Sequence, residues 1–185
     1  MKRLIAIVLA LALLCGLTAC TGNVEPDGKY KLGDRMDDFT VTLSDGAETS
    51  LYGLLEEKKA VLINLWASWC GPCKGEFPDM QQAYSEMSDD VGVIALSAEK
   101  NDTDETVLAL KKELGLTSLP MGVDTVGLSE TVGINAYPTS ILVDRNGIIC
   151  YMKAGSLQSK EDFIKLFSAF TADDYSEPVL LNEIP

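Results

Sequence analysis

Apolar residues follow three spacings along this chain, and each predicts a different element. Ala60-Val61-Leu62-Ile63-Asn64-Leu65-Trp66 is almost unbroken, as a central parallel strand covered on both faces would be. Val91-Gly92-Val93-Ile94-Ala95-Leu96 has the same character. Phe39-Thr40-Val41-Thr42-Leu43 instead alternates, as a strand with one wet face does, and Ser44-Asp45-Gly46 supplies its turn. Helical spacing fills the gaps. Ser50 is placed to cap a short helix through Leu55, Pro72 suits the first turn of a helix running from Cys70 to about Met87, and Gly115 ends one that starts near Thr103. A short helix over Leu128–Val132 precedes strands Ser140–Val143 and Ile148–Tyr151, which flank an Arg145-Asn146-Gly147 turn, and an amphipathic helix spans Ser159–Phe170. The chain has no internal repeat. Strands alternating with helices predict an α/β fold with a mixed sheet.

The beginning of the chain has a different pattern. Met1-Lys2-Arg3 is a short basic start, Leu4 to Leu14 is wholly apolar, and small residues lead into Cys20. This is the form of a bacterial export signal, and its apolar core is too short to cross a hydrocarbon layer of about 30 Å as a helix. Leu17-Thr18-Ala19-Cys20 resembles the lipobox of bacterial lipoproteins, which implies that residues 1–19 are removed and Cys20 becomes the lipidated first residue. Two acyl chains there would hold the protein to the extracytoplasmic face of the cell membrane. The other reading is a soluble secreted protein in which Cys20 is incidental.

After the leader, residues 20–31 read as a polar tether, 32–170 as one domain and 171–185 as a tail that combines acidic residues with Val179-Leu180-Leu181. The tail is expected to have no catalytic role. Without residues 1–19 the chain carries 13 basic and 28 acidic side chains, a formal charge of −15. Such acidity makes nucleic acid an improbable partner and favours solubility.

Chemistry concentrates in Trp66-Ala67-Ser68-Trp69-Cys70-Gly71-Pro72-Cys73, where two cysteines follow a buried strand and open a helix. Unpaired N–H groups of that first turn favour a thiolate at Cys70, at the exposed start of the helix. Half of a zinc site would also fit a Cys-x-x-Cys pair, but such a site takes four Cys or His ligands and the chain has no histidine. No metal or other cofactor is expected. Cys150 is left over; alternation puts it with Ile148 and Met152 on one strand face, as a small core residue, with a third redox thiol as the other reading.

The Trp-Cys-Gly-Pro-Cys box resembles the active site of the thioredoxin superfamily. Lys74-Gly75-Glu76-Phe77-Pro78 continuing it, and Tyr137-Pro138-Thr139 before a strand and an Asp-Arg-Asn-Gly turn, are similar to the extracytoplasmic TlpA/ResA type within the redoxin group. The resemblance implies a thioredoxin-like fold with an N-terminal β-hairpin extension and a redox-active Cys70–Cys73 disulfide. It also implies a cis bond before Pro138, beside which the Tyr137 backbone would pair with an extended substrate segment, with Trp69 flanking the same place; the alternative is that Tyr137 is only an apolar rim residue. Thioredoxin-like proteins commonly keep a buried acid on the strand before the box; the matching residue here is Asn64, which cannot accept a thiol proton. Glu76 is the replacement candidate, three residues after Cys73 on one helical face and about 120° around the axis from Cys70. A solvated first-turn glutamate is the plainer alternative.

These features imply a membrane-anchored thiol–disulfide oxidoreductase in which Cys70 attacks a substrate disulfide and Cys73 resolves the mixed disulfide. Reduction is the favoured direction, because Gly-Pro between the cysteines matches thioredoxin, at about −270 mV, rather than the oxidase DsbA, at about −120 mV. The resemblance implies a membrane thiol carrier of the CcdA/DsbD type as electron donor. Apocytochrome c and oxidised methionine sulfoxide reductase are the substrates it suggests. Two alternatives share the dithiol. A peroxiredoxin-like peroxidase would need proline at Ile63 and threonine or serine at Ala67, and has neither. A lipoprotein that binds partners according to its redox state, without turnover, uses the same motif.

Overall fold

The structure is a computed structural model that describes residues 28–172, 175, 180 and 181. The leader and Cys20 lie outside the described residues. Two strands, β1 (Thr40–Thr42) and β2 (Glu48–Ser50), form an antiparallel hairpin, followed by helix α1 (Leu51–Leu55). Ser50 caps that helix by accepting from the Gly53 N–H. The main sheet comprises β3 (Ala60–Trp66), β4 (Val91–Ser97), β5 (Met121–Val123), β6 (Thr139–Asp144) and β7 (Ile149–Ala154). Its spatial order is β5-β4-β3-β6-β7, with β3, β4 and β5 parallel and β6 and β7 antiparallel to their neighbours. The mixed α/β class is the one the sequence predicts.

Helices α2 (Gly71–Met87), α3 (Asp104–Leu114), α4 (Leu128–Val132) and α5 (Lys160–Thr171) complete the fold. Period-two alternation divides the core into two layers. Ala60, Leu62 and Trp66 of β3 pack on one face with Phe77 and Met80 of α2 and with Phe163, Phe167 and Phe170 of α5. Val61, Ile63 and Leu65 pack on the other with Val41, Leu43, Leu51, Leu128 and Val132. Burying both faces of β3 explains its near-continuous apolar run. Its one polar residue, Asn64, alternates with Leu62 and Trp66 and so faces α2.

One strand goes unread in the sequence, and two sequence expectations change. Strand β5 has no period-two signal, since it is only Met121-Gly122-Val123. It is made a strand by its partners: β4 on one side and an isolated bridge from Leu43 to Gly122 on the other. A Cβ on Gly122 would lie 3.2 Å from Leu43 Cα, so glycine permits this close approach. Residues 28–31, read as the end of the tether, are joined to the domain: Tyr30 is buried and Lys29, though exposed, donates its backbone N–H to the Thr131 carbonyl. Finally, Cys150 does not share a face with Met152. The β6–β7 register passes from Leu142↔Tyr151 to Val143↔Ile149, so Cys150 is the extra residue of a β-bulge. Cys150 and Tyr151 both join the α2/α5 layer, while Met152 packs in the opposite layer with Ile149.

The tail returns to the sheet. Leu181 donates its N–H to the Cys150 carbonyl at 2.8 Å and bridges to Tyr151, and the Tyr175 ring meets Phe170 edge-on at 5.9 Å. Among the described residues, no helix is long and apolar enough to cross a membrane.

Candidate active site

Strand β3 ends at Trp66, and Ala67-Ser68-Trp69 carries the chain to the start of α2. Cys70 is the N-cap of that helix, and its Sγ accepts the Cys73 N–H at 3.2 Å. Pro72 occupies the first turn, where its missing N–H costs no helical bond. Cys70 and Cys73 form a disulfide, with S–S 2.09 Å and Cα–Cα 5.3 Å. The exposed position expected for Cys70 is narrow: 3% of its surface is accessible, against none for Cys73. In this form the prominent residue is Trp69, which is 66% exposed.

Contacts from three separate loops hold this corner. The Tyr137–Pro138 bond is cis, as the resemblance implies. Tyr137 meets Trp69 edge-on, with ring centroids 5.6 Å apart, and its hydroxyl donates to the Ala98 carbonyl. The Trp69 indole N–H donates to Glu99 Oε2 at 2.7 Å. Behind it, the buried Asp102 carboxylate accepts from the Ser68 N–H at 3.0 Å and from the Ser97 hydroxyl, tying the loop before the dithiol to the end of β4. The Gly155 N–H donates to the Pro138 carbonyl, which fixes the cis-proline loop against the end of β7. Two grooves flank Tyr137. One of about 650 Å³ is lined by Pro72, Tyr151, Lys153, Leu157 and Asp162, and one of about 480 Å³ by Glu99, Asp124, Glu130 and Ile134.

Glu76 is not a solvated first-turn residue. It is 2% exposed and lies on the side of α2 that faces β3. Asn64 Nδ2 donates to its Oε1 at 2.9 Å, and the Leu157 backbone N–H donates to its Oε2 at 2.9 Å. Burial pushes its pKa up to about 7, while those two donors pull the other way. Asn64 Nδ2 also donates to Ser140 Oγ at 3.1 Å; the two residues are opposite one another in the β3–β6 register. A buried carboxyl that titrates near neutrality, one helical turn from Cys73, has the chemistry of a proton acceptor for that thiol.

Sequence reasoning brought Cys70, Cys73, Glu76, Trp69, Tyr137 and Pro138 forward, and all six lie at this end of the sheet. It missed Glu99, Asp102 and Leu157. Each acts across a long sequence separation, and Leu157 acts through its backbone, so no local pattern marks them. Cys150 stands apart. Its thiol is 3.5 Å from the Tyr175 hydroxyl, and burial pushes its pKa up to about 11.

Comparison with known proteins agrees with this geometry. The redoxin family matches the chain over residues 31–166. The thiol-disulfide oxidoreductase ResA of Bacillus thuringiensis subsp. konkukian is 31% identical over 177 residues, covering 92% of this chain and 98% of that one. The thioredoxin-like protein YneN of Bacillus subtilis is 33% identical over 132 residues, covering 70% of this chain and 75% of its own. Among solved structures, the pneumococcal exposed lipoprotein thioredoxin Etrx1 of Streptococcus pneumoniae superposes with a TM-score of 0.63 at 27% identity, over 72% of this chain and 99% of its own.

Proposed function

The chain belongs to the redoxin family and is a thioredoxin-like thiol–disulfide oxidoreductase, and from that premise we propose that it reduces protein disulfides outside the cytoplasm while anchored by a lipid on Cys20. The observation that carries the redox reading is the Cys70–Cys73 disulfide at the start of α2, beside the cis Tyr137–Pro138 bond. In the reduced protein the Cys70 thiolate attacks one sulfur of a substrate disulfide, and the other substrate sulfur leaves as a thiolate that takes a proton from solvent. Cys73 then gives its proton to Glu76, and its thiolate displaces the second substrate sulfur from Cys70 as a thiolate to which the Glu76 proton passes. Two electrons have passed to the substrate, both of whose sulfurs are now thiols, and the Cys70–Cys73 disulfide is restored. The substrate is a disulfide within an extended protein segment that pairs with the Tyr137 backbone, between Trp69 and the groove edged by Pro72.

Anchoring rests on Leu17-Thr18-Ala19-Cys20 and is supported by the lipoprotein character of the pneumococcal relative. Recharging on that side of the membrane calls for a membrane thiol carrier, of the CcdA/DsbD type. Apocytochrome c and methionine sulfoxide reductase are the two substrates to test first. The experiment is expression of the full-length Cys73→Ser variant, which is expected to accumulate mixed disulfides with substrate on membranes. Absence of such adducts, or slow reduction of a model disulfide by the wild type, would overturn the reductase reading. Metabolic lipid labelling should mark the wild type and not Cys20→Ala. An unlabelled wild type recovered free of the membrane would overturn the anchor.

A further inference from the structure

Of the two grooves beside Tyr137, the one edged by Pro72 holds a polar side chain that is buried and yet has no partner. Tyr151 is 1% exposed, packs in the α2/α5 layer and lines this groove of about 650 Å³. Its hydroxyl makes no hydrogen bond among the described residues. The polar side-chain atoms that are fully enclosed without a partner there are Asn64 Oδ1, Trp66 Nε1 and Arg145 Nε. The Tyr151 hydroxyl is not one of them, so it opens onto the groove. A phenol O–H is a donor at neutral pH, and burial only pushes its pKa further up.

Lys153 lies two residues further along β7 and shares that face. It is half-buried and lines the same groove, and its ammonium has neither an ion pair nor a hydrogen bond among the described residues. Lys59 and Lys160, by contrast, are paired with Asp90 and Glu86. The other polar residues of this lining bond to one another. Asp162 Oδ2 accepts from the Gln158 N–H at 3.2 Å, at the start of α5, where the helix dipole offsets a negative charge. Gln158 Nε2 donates to the Ser156 carbonyl and hydroxyl. The two side chains left over are both donors, and one is a cation.

We infer that Tyr151 and Lys153 are specificity-determining residues that receive an acidic side chain of the substrate, an Asp or Glu close to the disulfide being reduced. Its carboxylate would accept from the Tyr151 hydroxyl and pair with Lys153. This rests on the reading of Tyr137 as the backbone partner of an extended substrate segment. Tyr137 lines both grooves, so a segment paired with it sends one flank towards each. The second groove has Glu99, Asp124 and Glu130 in its lining and repels a carboxylate, which fixes the direction in which the segment lies.

The test is reduction of a peptide series by the full-length reduced protein. Each peptide has one internal disulfide, with Glu, Ala or Lys just outside one cysteine, on the N-terminal or the C-terminal flank. On one flank only, kcat/KM for the Glu peptide is expected to exceed that for the Ala peptide by about fivefold, and less at high salt. The ratio should fall towards unity in Lys153→Gln, fall in part in Tyr151→Phe, and turn in favour of the Lys peptide in Lys153→Glu. Each ratio is taken within one protein, so a general loss of activity cancels, and weakened folding does not produce a reversal by charge exchange. Equal rates for the Glu and Ala peptides on both flanks, or a Glu preference that survives Lys153→Gln, would overturn the inference. An unchanged ratio in Tyr151→Phe would remove the hydroxyl from it. A wild type that reduces neither the series nor a small model disulfide would instead overturn the reductase reading beneath it.

Discussion

The sheet carries a buried cysteine beside a carboxylate at each of its ends, and the two neighbourhoods do opposite things with the same groups. At the C-terminal end of β3, Cys70 caps a helix and its sulfur accepts a backbone N–H. At the other end, Cys150 sits on a bulge of β7, with the Tyr175 hydroxyl as its polar neighbour and burial holding its thiol protonated. The carboxylates differ in the same way. Glu76 receives two hydrogen bonds, whereas the buried Asp144 receives four, from the Asn146 and Ile148 N–H groups, the Asn146 amide and the Tyr175 hydroxyl. On the proposed reading, a cysteine, an acid and an aromatic ring are not enough to make a redox centre. On that reading the difference lies in the helix start that favours a thiolate at Cys70, and in the under-supplied carboxyl of Glu76 one turn from Cys73.

The sharpest way to break this contrast is to exchange the sulfurs for inert groups. Cys70→Ser is expected to abolish disulfide reduction and Cys150→Ala to leave the rate nearly unchanged, as measured with a model disulfide. A large rate loss in Cys150→Ala at unchanged stability would put Cys150 in the electron path. Next in size, Glu76→Gln should slow mixed-disulfide release by roughly 10–100-fold and flatten its pH profile, whereas alkylation of Cys70 should change far less. Stopped-flow measurement of both steps separates them.

Stability against pH gives a third test. The folded chain holds the Glu76 proton up to about 7 and the unfolded chain releases it near 4.5, so between those values the folded state binds more protons. Folding stability should therefore fall as pH rises through that window, by on the order of 3 kcal/mol from this group, and change little above it. Urea melts of the wild type and of Glu76→Gln should diverge across that range and run parallel beyond it. The smallest effect is expected at the other end of the sheet. Tyr175→Phe removes the hydroxyl shared by Asp144 and Cys150 and should cost about 1 kcal/mol with no change in turnover. Faster alkylation of Cys150 by a small reagent would accompany it.

The parts of this molecule that could be read from sequence are those in which the signal is local. Strand β3 and helix α2 declare themselves through an unbroken apolar run, two cysteines and Pro72. The placement of Glu76 beside Cys73 follows from helical geometry alone. What escaped reading is decided by partners far along the chain. Whether Met152 shares the face of Cys150 depends on a one-residue slip against β6, and a slip of one inverts every later side chain. That the buried Glu76 finds a donor depends on the Leu157 backbone, and that the Trp69 indole is tied down depends on Glu99.

The segments that extend the central sheet at both flanks have a further consequence, for behaviour in a crowd. A strand at the rim of a sheet offers unpaired N–H and C=O groups to any neighbouring chain, which makes it a template for aggregation. Here one rim strand, β5, is short and has Leu43 and Ser44 laid against it. The first half of the other, β7, is covered by Gly33 and Asp34, which pair with Ile149, and by Leu181, which pairs with Cys150. Gly33 and Asp34, the hairpin turn at Leu43 and Ser44, and Leu181 thus act as selvedges, the finished borders that stop a weave from fraying or catching on the next piece. Trimming any of them should show first as self-association at high protein density, before any loss of redox activity.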